Sequence, residues 1–148
     1  MDILVKVSGD LEDQDCFYDW LASISKPRNR LFILCGGGTL ITSVLERYGI
    51  PYEFGPAGRE IKSVKGRLLA RFVLEGLKFM IDNKLHERRI KATVFAPFRE
   101  IGDAVYHMNG DNYALALYPN FDKIYIATIR GRTKTFPDNL KKIEVVYL

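Results

Sequence analysis

The sequence predicts an α/β domain in three layers, a mainly parallel sheet with helices on both faces. Three observations lead there. Short apolar segments alternate along the chain with stretches of helical spacing, the order expected of βαβ units. Those segments are continuously apolar rather than apolar at every second residue, as strands buried on both faces are. The 148 residues, 47% hydrophobic and 27% charged, suit one ordinary globular domain spanning residues 1–148.

The elements follow in order. "ILVKV" (Ile3 to Val7) is a β-branched run closed by Ser8-Gly9-Asp10, and reads as a buried strand. From Asp13 to Ser25, Phe17, Trp20, Leu21 and Ile24 fall at helical spacing, and Pro27 ends the pattern. Leu31 to Cys35 is the second strand, followed by Gly36-Gly37-Gly38 and a helix over Leu40 to Tyr48. Tyr52 to Gly58 ("YEFGPAG") reads as a loop. A long helix begins near Glu60, with Val64, Leu68, Leu69, Phe72, Val73, Leu77, Met80 and Ile81 stepping by three and four. It runs for about twenty residues, roughly 30 Å. Lys91 to Pro97 is a third strand, Ala104 to Asn109 a short one, and Gly110 to Tyr118 a short helix with Asp111 near its start, where an N-cap is the plain alternative to a site role. Lys123 to Thr128 is a further strand, then comes a loop, and "IEVVYL" (Ile143 to Leu148) closes the chain as a strand.

Charge and composition narrow the function classes. The net charge of +4 is mild and fits an anionic small-molecule ligand. The densest basic stretch, "HERRIKA" (His86 to Ala92), has no interleaved aromatics, so nucleic-acid binding is not expected. Cys16 and Cys35 form no C-x-x-C pair, and His86 and His107 are isolated, so neither a disulfide framework nor a protein-held metal is expected. No apolar run has membrane-spanning length and the first residues resemble no targeting peptide; the expected location is the cytoplasm.

In parallel α/β folds, ligands sit outside the carboxyl ends of the strands. Ser8-Gly9, Gly36 to Gly38 and the loop after Thr128 therefore belong on one edge. A glycine-rich turn into a helix presents backbone N–H groups and a partial positive charge, which suit an anion. Gly36-Gly37-Gly38-Thr39 has this form but matches neither the P-loop nor G-x-G-x-x-G, and close packing alone would also explain it. Lys6 stands in an otherwise apolar strand, where a lysine either snorkels or reaches into a site.

"VKVSGDL", followed by "ILCGGGTLITSVLERYGIPYEFGPAGREIKSVKGRLLARFVLEGL" and "NGDNYALALYPNFDKIYIAT", resembles the amino acid kinase family, which includes acetylglutamate, glutamate, aspartate and uridylate kinases. The family opens with a strand ending K-x-G-G or K-x-G-S, then has a triple-glycine turn, a "G-x-R-x-T"-like element and a long helix. The resemblance implies that Lys6 stabilises a transferring phosphoryl group and that Asp111 orients the lysines, both in catalytic roles. It implies that Ser8, Gly9, Gly36, Gly37 and Gly38 hold phosphate, and that Arg59 binds an acidic group of the acceptor, with Asn109 beside Asp111. It further implies phosphoryl transfer from ATP with magnesium to an acidic or phosphate-bearing small molecule, and a homo-oligomer formed through the long helix near residues 60–84. The chain departs from the pattern in three places. Asp10 follows the second turn, Lys62 replaces a threonine, and Thr128-Ile129-Arg130-Gly131-Arg132 stands where "TDVDGV" is usual. The resemblance covers the substrate-side part of the family and stops before its nucleotide-binding half; the opening methionine and closing apolar strand make a naturally short chain the expectation. A non-catalytic anion- or metabolite-binding module derived from the family is the alternative.

Overall fold

Alternation along the first strand decides which face each residue serves. In β1 (Asp2–Val7), Ile3, Val5 and Val7 enter one apolar cluster while Leu4 enters another. Lys6 shares Leu4's face. The computed structural model describes residues 1–56, 58–101 and 104–148. Five strands form one parallel sheet in the order β5 (Ala92–Phe95), β2 (Arg30–Leu34), β1, β8 (Lys123–Thr128), β9 (Ile143–Tyr147). Lys6 pairs with Leu34 on one side and with Ile126 on the other, so the carboxyl ends of β1, β2 and β8 meet at one edge.

Three helices cover the first face: α1 (Asp15–Ile24), α2 (Gly38–Arg47) and α3 (Val64–Glu87). Phe17, Tyr18, Leu21, Ile41, Leu45, Leu74, Ile81 and Leu85 pack there on Ile3, Val5, Val7 and Ile33. The opposite face carries the short α4 (Gly110–Ala116), a 3-10 turn at Tyr118–Asn120 and part of the segment between β8 and β9. The result is the three-layer α/β/α arrangement. The chain leaves β1 toward β2 and β5, then returns to β8 and β9 on β1's other side. That reversal places a crevice at the carboxyl end of β1.

Several boundaries differ from the sequence reading, each for a local reason. The predicted loop contains a hairpin, β3 (Glu53–Gly55) with β4 (Gly58–Glu60), whose three-residue strands are too short to show a period; Ala57 of that loop lies outside the described residues. Gly58 turns with φ +109°, a region that favours glycine. The long helix begins at Val64, four residues later than expected, because Ser63 caps it by accepting the Gly66 amide at 3.0 Å. Its buried stripe is Gly66, Ala70, Leu74, Ile81 and Leu85. Val64, Leu68 and Phe72, which share the helical spacing in the sequence, are exposed. The short strand from Ala104 pairs as β7 (Ala104–His107) with an unexpected partner, β6 (Phe98–Ile101). α4 is capped by Asn109, which accepts the Asn112 amide, and not by Asp111.

Candidate anion site

The turn after β2 is built by close approach. A Cβ on Gly36 would lie 2.7 Å from the Val7 carbonyl oxygen, so only glycine lets the ends of β1 and β2 come together. The Gly36 amide donates to Glu12 Oε1 at 2.6 Å, which leaves it unavailable to a phosphate. Gly37 faces the Leu74 and Leu77 side chains, where a Cβ would sit 3.0 Å from each. Gly38 starts α2, and a Cβ there would lie 3.8 Å from Arg59 Nη2, an ordinary contact. No side chain caps that helix, so the Gly37, Gly38 and Thr39 amides belong to a first turn with no preceding carbonyls to receive them. Its positive end opens into a cavity of about 160 Å³.

Four cations line the same cavity: Lys6, Arg59, Arg132 and Lys134. Lys6 is only 8% exposed, and its ammonium pairs with Asp111 Oδ1 at 3.0 Å. Lys134 pairs with the other oxygen of the same carboxylate. Burial works against the charge of Asp111, but Lys6 and Lys134 outweigh it and hold its carboxyl below the ordinary aspartate range. Arg132 pairs with Asp10 at 2.6 Å and donates to the Ser8 hydroxyl at 3.3 Å. Asp10 is therefore neutralised rather than turned on the cavity.

Arg59 reaches the turn from the hairpin. Its guanidinium lies 4.8 Å from the Tyr52 ring centroid and 4.9 Å from that of Phe54. One nitrogen donates to the Gly38 carbonyl at 2.8 Å, while Nε and Nη1 are buried without a hydrogen-bond partner. Burial lowers its pKa, the mark of a desolvated cation.

All nine candidate residues, Lys6, Ser8, Gly9, Gly36, Gly37, Gly38, Arg59, Asn109 and Asp111, line this one cavity. Lys62 does not; it borders a neighbouring cavity with Ile61, Tyr106 and Met108. Sequence reasoning missed Arg132 and Lys134, and also Glu12, which is 1% exposed behind the turn. The first two lie in "RGRTK", a basic run leaving a strand at the glycine edge, but nothing local ties them to Asp10 or Asp111. Nothing in the sequence marked Glu12. Among the described residues no cluster of histidine, cysteine and carboxylate side chains has a metal-binding arrangement, and no helix is long and apolar enough to cross a membrane.

Fold and cavity together define a parallel α/β/α domain with a cation-lined basin at its carboxyl edge. No protein-family model matches the chain, and no curated protein matches it in sequence. Solved structures share the fold. One is smu.665 from Streptococcus mutans UA159, with a TM-score of 0.66 and 15% identity over 86% of this chain and 72% of that one. Another is N-acetylglutamate synthase from Neisseria gonorrhoeae, complexed with coenzyme A and N-acetyl-glutamate, with a TM-score of 0.68 and 10% identity. That match covers 93% of this chain but only 43% of the synthase, so the chain spans less than half of that protein's length. At such identities the likeness is one of fold.

Proposed function

We propose that this chain binds a phosphate- or carboxylate-bearing small molecule in the basin, as a module resembling the substrate-side part of an amino acid kinase. The observation that carries the reading is the uncapped start of α2 opening into the cavity lined by Lys6, Arg59, Arg132 and Lys134. Glycine-turn amides and a desolvated guanidinium are strong anion ligands, and both favour planar or tetrahedral oxyanions. The cavity, about 160 Å³ and open to solvent, has room for an oxyanion group against the turn and the four cations. Thermal denaturation with phosphate, sulfate and a panel of acidic metabolites tests it. Saturation at a hundredfold over Kd adds about 2.7 kcal/mol, or roughly 5–10 °C in a domain of this size. Lys6→Ala should abolish the shift. No shift with any anion would refute the reading.

Phosphoryl transfer is the second reading, favoured by the Asp111 carboxylate bridging Lys6 and Lys134. That arrangement would aim two ammonium groups at one phosphoryl group, which is the positioning and charge neutralisation such a reaction needs. The donor set does not fit magnesium as it stands. Asp10 and Asp111, the carboxylates nearest the basin, are each engaged by cations, and ATP would have to bring the ion on its own phosphates. ATP–magnesium in the same assay, with phosphorylated product sought, separates the two readings.

The exposed stripe of α3 supports an oligomer of this chain. Leu68, Phe72 and Phe79 are exposed along it, and Phe72 and Phe79 flank Gly76, where a Cβ would meet nothing. Arg71, Glu75, Lys78 and Asp82 alternate in sign beside the stripe. An antiparallel second copy crossing between Gly76 and Leu77 would set Arg71 against Asp82 and Glu75 against Lys78, a self-complementary pattern.

A further inference from the structure

We propose that Glu12 is the positioning residue of the basin, and that the basin admits an anion only while Glu12 is protonated. The proposal rests on the anion-binding reading above and adds its control.

Glu12 lies under the glycine turn, 1% exposed, beside a cavity lined by Leu40, Leu77 and Met80 together with Asp10, Asp13 and Ser43. One carboxyl oxygen receives the Gly36 amide at 2.6 Å, while the other is buried with no partner. A neutral carboxyl costs less here than a carboxylate: the Gly36 N–H satisfies one oxygen, and an unpaired buried hydroxyl is cheaper than an unpaired buried charge. A carboxylate there would be a buried charge facing one N–H group. It would also stand directly behind the Gly37–Thr39 amides, setting a negative charge against the anion those amides receive.

The surrounding charges give little relief. Lys6, the cation nearest in effect, is held by Asp111. Asp10 and Asp13 add negative charge, and Arg132 is committed to Asp10. On α3, the Lys84 ammonium donates to the Asp13 carbonyl, and Lys78 acts at Cys35 together with Asp82. Tyr18 donates its hydroxyl to the Glu12 carbonyl; burial raises its pKa, and Arg88 lies over its ring. Burial likewise pushes the Cys35 thiol up to about 12, so neither group ionises near neutrality. Glu12 does. Burial drives it up to about 8, against the opposing pull of the Gly36 amide and Lys6.

Sulfate is the probe, because its charge stays constant where phosphate's changes. Its Kd for the wild type should rise about tenfold per pH unit above pH 8, as obligatory protonation requires. In Glu12→Gln, which keeps the acceptor for Gly36 but cannot ionise, the affinity should not vary between pH 7 and 9. Two ligand-free measurements accompany it. The Gly36 amide resonance of the wild type should inflect near pH 8. A carboxyl raised by folding stabilises least when ionised, so the melting temperature of the wild type should fall relative to Glu12→Gln from about pH 4.5 to pH 8 and then level off. A sulfate Kd that is flat with pH in the wild type, or rises equally in both proteins, overturns the proposal and leaves the basin standing. A Gly36 amide that does not titrate overturns it even if Glu12→Gln fails to fold. Sulfate that binds at no pH overturns the anion-binding reading together with this one.

Discussion

Replacing Asp111 with asparagine should weaken the fold and strengthen the basin at once. The carboxylate compensates Lys6, which is 8% exposed, and holds Lys134 on its second oxygen. Removing one partner of a buried pair costs about 3–5 kcal/mol, and the partial exposure of Asp111 and Lys134 puts this case near 3. For a domain of this length, that is roughly 6–12 °C in Tm. The sign with pH follows from the depressed carboxyl. Its stabilisation is complete above the ordinary aspartate value of 3.8 and is lost as pH falls through the lower folded value, so wild type and Asp111→Asn should converge in acid. Binding should move the other way. With the negative charge gone, two ammonium groups face the cavity unpaired, so sulfate should bind Asp111→Asn more tightly and restore more of its Tm than it adds to the wild type. Thermal denaturation at pH 7, with and without sulfate, reads both effects. An Asp111→Asn protein as stable as wild type at pH 7, or one that sulfate rescues no better, would refute the reasoning.

Other substitutions probe separate parts of the account. Gly36→Ala should cost about 1–3 kcal/mol by forcing the ends of β1 and β2 apart, whereas Gly38→Ala, whose Cβ would make only an ordinary contact with Arg59, should be nearly neutral in chemical denaturation. Arg89 follows α3 with φ +56° and donates its amide to the His86 carbonyl, so Arg89→Gly should stabilise by about 0.5–1 kcal/mol. Phe72→Glu places a charge in the exposed α3 stripe; the protein should shift from dimer to monomer in light scattering while keeping its far-UV circular dichroism, and a wild type that is already monomeric would refute the dimer.

How much the sequence revealed depended on whether local pattern or tertiary contact decided the matter. Continuous apolar runs marked the five strands of the main sheet, and turn residues placed Ser8-Gly9 and the triple glycine at its carboxyl edge. The hairpin at Glu53–Glu60 escaped notice because three-residue strands carry no usable period. On α3, several apolar positions step by three and four on more than one face, so spacing alone could not tell the core stripe through Leu74 from the exposed stripe through Phe72. At the site, Lys6 stood out as a charge in an apolar strand. Lys134 did not, because only folding brings a loop residue onto Asp111. Glu12 was illegible for the same reason: an acid in "DLEDQD" looks solvated until the β2 turn closes over it.

Amide resonances followed during a phosphate titration test the central claim most directly. Binding in the basin should move the Gly37, Gly38 and Thr39 amides most, with a single Kd, and Lys6→Ala should erase those shifts. Perturbations confined to other surfaces, or no saturable change at that turn, would contradict it.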